Sequence, residues 1–165
     1  MASQTRPPRR SYTTHRNQQL GPPGDGGCYH AGAQANDIAD NVYGDPVIVG
    51  TYALCDTQHF RPSGGFAGFV LSGGGEFEID QPGSAVTHGI LRINAVNGHY
   101  IMVGSYGKNP HAFVTKFGGR IYDLNKRISS GSGWNLTNAN DVNSIGEIVG
   151  TGTYEGQVHG FLLKP

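Results

Sequence analysis

The chain has 165 residues, room for one domain that hides roughly two thirds of its unfolded surface in a single core. Its 12 Lys and Arg balance 12 Asp and Glu, so no long-range field draws the body as a whole to nucleic acid or to an anionic membrane. With 27 Gly and 9 Pro, turn-forming residues make up about a fifth of the chain, short of the ~25–30 % of a disordered low-complexity protein, and no apolar run nears the ~20 residues that span a bilayer.

Residues 1–34 carry Arg6, Arg9, Arg10 and Arg16 among Pro7, Pro8, Pro22 and Pro23, with almost no aliphatic side chains. Such a segment buries too little apolar surface to offset its ordering entropy. It is expected to form an extended basic arm, either solvated or ordered on a neighbouring subunit; so few cations bind nucleic acid only weakly. The opening "MASQTRPPRRSYTTHRNQQL" lacks the apolar stretch of a secretory signal.

From residue 35 onward the chain repeats. "ANDIADNVYGDPVIVG" ends at Gly50, "INAVNGHYIMVG" at Gly104 and "ANDVNSIGEIVG" at Gly150, a period of roughly 50 residues, in the range of propeller blades and related β repeats. Asn94 and Asn140 stand at the same interval before their glycines, and the first copy, from Asn36, is longer. A second phrase follows each one, around Phe69, Phe113 and Phe161. The Asn-rich openings predict turns, because Asn side chains hydrogen-bond their own backbone. The "IMVG" and "EIVG" runs predict buried strands, each ending at a Gly that lets the chain turn or a neighbour approach. "FVLSGGGEFEID" and "FVTKFGGRIYDL" predict hairpins around their Gly pairs, and "GEIVGTGTYEGQVHGFLLKP" predicts a closing one. The expected fold is all-β, with about three units (35–92, 93–138 and 139–165) of three to four short antiparallel strands. The units form a propeller-like or compact three-fold arrangement.

Asp123 to Pro165, the triplet His111-Ala112-Phe113 with its variant His159-Gly160-Phe161, and "EIDQPGS" at 78–84 together resemble the bacterial HAF repeat proteins, named for the His-Ala-Phe triplet. The resemblance covers residues 35–165 and leaves the arm outside. The chain departs from the pattern at Ala67-Gly68-Phe69, where His would stand, and in insertions at 41–44 and 52–64. The resemblance implies an extracellular, repetitive β protein, and it carries over no reaction, catalytic residue or cofactor.

His111 and His159 occupy equivalent repeat positions. Either they satisfy backbone groups of the adjacent unit or they form a ligand-facing pair; no Cys or carboxylate stands at metal-ligand spacing with either. Glu76, Glu78 and Asp80 alternate with Phe77 and Ile79, as on a solvated strand face; a cation site or a hydrolytic carboxylate pair is the rival. Cys28 and Cys55 are the only cysteines, and in an oxidising compartment a bond between them would pin the arm to the body for ~3 kcal/mol; separate thiols are the alternative. No nucleotide-binding or hydrolase motif is present.

Three units are fewer than the ~4 blades of the smallest closed propellers, and an open stack leaves edges that invite another chain. The expected protein is therefore a non-enzymatic, structural, self-assembling component of the cell exterior, forming homo-oligomers or filaments through its arm or a strand edge. The rival is a carbohydrate- or ligand-binding module using loops at 52–64 and 104–110, with Tyr52, His59, Tyr106 and His111.

Overall fold

The computed structural model describes residues 32–56, 61–73, 75–79 and 90–165. They fold into three antiparallel sheets in tandem. The first holds β1 (Ala33–Asp40), β2 (Pro46–Asp56), β3 (Arg61–Ser72) and β4 (Gly75–Ile79) in that order. The second holds β5 (Leu91–Val96), β6 (Ile101–Tyr106), β7 (His111–Lys116) and β8 (Tyr122–Asp123). The third holds β9 (Trp134–Val142), β10 (Ile148–Tyr154) and β11 (Gln157–Leu163). The described residues contain no α-helix, and the one 3-10 turn, Leu124–Lys126, lies between the second and third sheets.

The sheets begin upstream of the sequence-drawn units: the second opens at Leu91 rather than 93, and the third at Trp134 rather than 139. The conspicuous phrase falls at the end of each leading strand, so a boundary drawn at the phrase cuts that strand. The 52–64 insertion is likewise no loop where it is described, because it lengthens β2 to Asp56 and starts β3 at Arg61.

The leading strand of each sheet lies across the preceding sheet: β5 over β1, β2 and β3, and β9 over β5, β6 and β7. Strand alternation sorts the side chains into two interlayers. Val47, Val49 and Val70 of the first sheet meet Leu91, Ile93, Val96, Met102 and Phe113 of the second. Ala95, Val103 and Ala112, on the second sheet's opposite face, meet Leu136, Ala139, Val142, Ile148 and Phe161 of the third. The second sheet is thus apolar on both faces, which is why its strands read as continuous apolar runs.

Two devices recur in every sheet. The first is a turn organised by a single Asn. Asn41 Oδ1 accepts from the Tyr43 and Asp45 N–H groups at 2.9 Å each, Asn97 Oδ1 from His99 and Ile101 at 3.0 and 3.1 Å, and Asn143 Oδ1 from Ile145 and Glu147 at 3.2 and 2.9 Å. The fourth residue of each turn is left-handed: Gly44 at φ 85°, Tyr100 at φ 60° and Gly146 at φ 86°. Tyr100 adopts this conformation without being Gly, and its hydroxyl is held by Asn41 Nδ2 at 2.8 Å and Ser72 Oγ at 3.0 Å.

The second device is a bulge. The register slips after Ala35, Ile93 and Ala139, so Asn36, Asn94 and Asn140 become the extra residues of the leading strands. This corrects the expectation that Asn94 and Asn140 open turns: they lie in β5 and β9, and the turns belong to the Asn further on. Opposite each bulge stands Gly50, Gly104 or Gly150, within a strand rather than at a chain reversal. A Cβ at any of the three would press into the bulged carbonyl of Gln34, Arg92 or Asn138, and into the ring of Phe69, Phe113 or Phe161. The glycines are there for close approach.

Candidate functional site

The bulge asparagines also tie sheet to sheet. Asn36 Nδ2 donates to the Ile93 carbonyl of the second sheet at 2.5 Å, and Asn94 Nδ2 to the Ala139 carbonyl of the third at 2.7 Å. The turn Asn97 adds a bond from its Nδ2 to the Asn143 carbonyl at 2.8 Å. Asp37 Oδ2 accepts from the Val96 N–H at 2.9 Å. Each joint between sheets therefore combines an apolar interlayer with a short polar seam.

At the third sheet the series stops. Asn140 Nδ2 keeps the bond to Thr151 Oγ1 of its own sheet, at 3.5 Å, that Asn36 also makes to Thr51 at 3.3 Å, and Asn143 Nδ2 donates to its own Glu147 at 2.7 Å. Asp141 holds only the Val142 N–H beside it, at 2.7 Å. Across the strands Asp141, Val149 and Leu162 lie in one row. Val149 is 44 % exposed and Leu162 53 %, whereas Val49 and Val70 in the same places on the first sheet, and Val103 on the second, are wholly buried. At the opposite end of the stack Ile38 is 61 % exposed and Ile48 and Leu71 are half-buried beside the buried Phe69. Ile38 occupies the place of Val96 and Val142, which are buried against the preceding sheet. The described residues thus end in two unlike faces: the first sheet's is apolar, and the third's sets Val149 and Leu162 beside Asp141 and the Glu147–Lys164 ion pair, Glu147 standing where the first sheet buries Val47.

A polar constellation sits at the rim of the second sheet. Tyr106 and His111, paired in register across β6 and β7, converge on Asp123 at the end of β8. His111 Nδ1 donates to Asp123 Oδ2 at 2.9 Å and the Tyr106 hydroxyl to the same oxygen at 3.1 Å. Asn125 donates its N–H and its Nδ2 to Oδ1. Burial pushes the Asp123 carboxyl up, but the hydrogen bonds from His111, Asn125 and Tyr106 outweigh it and hold the group below its ordinary value of 3.8. Burial, then the neighbouring carboxylate, raises the Tyr106 phenol above 10.0. Asn125 also pairs with the Leu136 N–H and carbonyl at 2.7 and 2.9 Å, so the cluster anchors the third sheet's leading strand.

The corresponding rim of the third sheet is aromatic. Trp134 lies 5.4 Å from Tyr154, 6.3 Å from His159 and 6.5 Å from Phe161 between ring centres. The two repeat histidines thus meet a carboxylate and aromatic rings, not the backbone of an adjacent unit as expected. The sequence missed Asp123 as a partner because, 12 residues further on, it approaches His111 only once β8 has paired with β7.

Tyr52 lies within β2, opposite Ala67 and Ala33, and Tyr106 ends β6; neither belongs to a loop. An open groove of about 250 Å³, lined in part by Gln34, Thr51, Phe66 and Arg92, lies beside β1, with the Arg92 guanidinium 3.8 Å over the Phe66 ring. Cys28, His59, Asp80 and the arm residues Arg6, Arg9, Arg10 and Arg16 lie outside the described residues, as do the side chains of Cys55, Glu76 and Glu78. Among the described residues no three His, Cys, Asp or Glu side chains gather at a point, and no helix is long and apolar enough to cross a membrane. In comparisons with known proteins, no family model, no curated protein and no solved structure matches this chain.

Proposed function

We propose that this chain is a non-enzymatic structural protein of the cell exterior that assembles with copies of itself, its tandem sheets serving as a rigid body. The observation that carries this reading is the exposed pair Val149 and Leu162, at positions whose counterparts Val49 and Val70 are wholly buried. Exposed apolar surface of this kind marks contact sites, and an open stack of sheets invites continuation. The His-Ala-Phe resemblance supports the extracellular location, and the arm of residues 1–34 supplies a second means of contact with a neighbour. Light scattering at micromolar concentration, on the full chain and on a chain starting at residue 32, tests this. Multimers are expected, and a monomer in both samples refutes assembly.

A carbohydrate-binding role is the second reading, favoured by the rings at the rim: Tyr154 is 39 % exposed, and His159 is exposed beside it. Tyr and Trp offer stacking surface and a polar tip together. Glycan-array binding that disappears on Tyr154→Ala, with the melting curve retained, would support it over assembly alone.

A further inference from the structure

Resting on the self-assembly reading, we propose that two copies join head to tail, the third sheet of each seated on the first sheet of the other, closing a ring of six sheets. The occupant of each exposed face is identified by the joints already present. Wherever a sheet presents the row occupied by Asp141, Val149 and Leu162, the next sheet covers it: Val49 and Val70 lie under the second sheet, and Val103 under the third. Wherever a sheet presents the position of Ile38, the preceding sheet covers it, as at Val96 and Val142. Among the described residues no sheet follows the third and none precedes the first. A second copy supplies both.

The polar seam continues in the same way. Asn36 and Asn94 each reach a carbonyl of the following sheet, at Ile93 and Ala139; the counterpart carbonyl on a second copy is that of Ala35, within reach of Asn140 once the faces meet. Two differences are built in. Where the first sheet buries Val47, the third presents Glu147, half-buried and ion-paired to Lys164 at 3.4 Å. The second sheet carries Ala95 where the first carries Asp37, and Asp37 Oδ1 already accepts the Ile38 N–H at 2.8 Å. Asp141 of one copy therefore meets a donor that is already taken, with a like charge beside it. The joint between copies is the weakest of the set and opens before the sheets unfold.

The two faces differ in composition, so the contact is heterologous, and a heterologous contact yields either a ring or an endless filament. Blade counts in closed propellers run from ~4 to 8, so the three described sheets of one copy are too few, those of three copies too many, and those of two copies fall within the range.

The test uses the full chain with Ile38→Asp and Val149→Asp, each placing a charge on one face only. Wild type should have a mass of about 35 kDa, twice the chain's 17.5 kDa, by sedimentation. Each variant alone should be monomeric with its far-ultraviolet spectrum and melting curve kept, and an equal mixture should recover a dimer through its one intact joint. Should Val149→Asp fail to fold, Leu162→Asp replaces it. If Ile38→Asp still assembles while Val149→Asp does not, like faces are pairing and the head-to-tail joint is wrong. Fibres from the wild type would refute closure, and assembly by both variants would move the contact elsewhere, to the arm first. A wild type that stays monomeric refutes self-assembly itself.

Discussion

Replacing Gly104 by Ala tests why the repeat glycines exist. The added methyl would stand 3.0 Å from Phe113 Cε1 and deep inside the contact distance of the Arg92 carbonyl oxygen, which is fixed in the bulge of β5. Backbone does not swing aside as a long side chain does, so the carbonyl or the strand pairing must shift by roughly an ångström, at the upper end of overpacking costs or about 3 kcal/mol. For a chain of this length that corresponds to a fall in Tm of about 6–12 °C. Gly160→Ala is the control: its methyl would meet nothing nearer than the Gly150 carbonyl at 3.7 Å. That change should be neutral or gain a few tenths of a kcal/mol from the stiffer unfolded chain. Calorimetry on both variants decides the matter. Equal melting temperatures would refute the close-approach explanation for Gly104, and with it the explanation for Gly50 and Gly150.

Asn97→Ala removes two acceptor contacts and the bond to the Asn143 carbonyl from a site only 5 % exposed, so urea unfolding should show a loss of about 2–3 kcal/mol. Asn143→Ala, at an exposed turn, should lose about 1 kcal/mol; equal losses would contradict the role of the sheet-to-sheet bond. Because the Asp123 carboxyl is held below 3.8 when folded, its contribution is complete above that value and disappears as the pH falls through the depressed pKa. The stability gap between wild type and Asp123→Asn should therefore be flat near neutrality and close in acid; a gap independent of pH would show that the charge is irrelevant. Trp134→Ala empties the centre of the aromatic rim and should cost about 3 kcal/mol in a thermal melt, since the ring is only partly buried. A loss below about 0.5 kcal/mol, the size of an ordinary surface change, would mean the rim is not a packing unit.

Repetition was the most legible property of the sequence, because three phrases ending at Gly50, Gly104 and Gly150 align by eye and strand alternation does the rest. The role of the asparagines was not. An Asn that caps a turn and an Asn that protrudes from a bulge use the same amide, and only the pairing register separates Asn97 from Asn94. The exposed faces were hidden for a related reason. Val149 and Leu162 look like Val49 and Val70 in the sequence, and what differs is which sheet comes next. Tyr106 and His111 were both named for a ligand-facing surface, but their shared partner Asp123 became visible only with the pairing of β7 and β8.

The near-identity of the two joints bears on how such a chain changes length. A further unit spliced between Asp123 and Trp134 would offer its neighbours the surfaces they already accept, so no compensating substitution is needed elsewhere. Duplication can therefore add or delete units at little cost to folding. Whether an enlarged or shortened chain could close into a ring with its copies would be a separate matter of angle, and that, more than foldability, would govern how many units survive in a lineage.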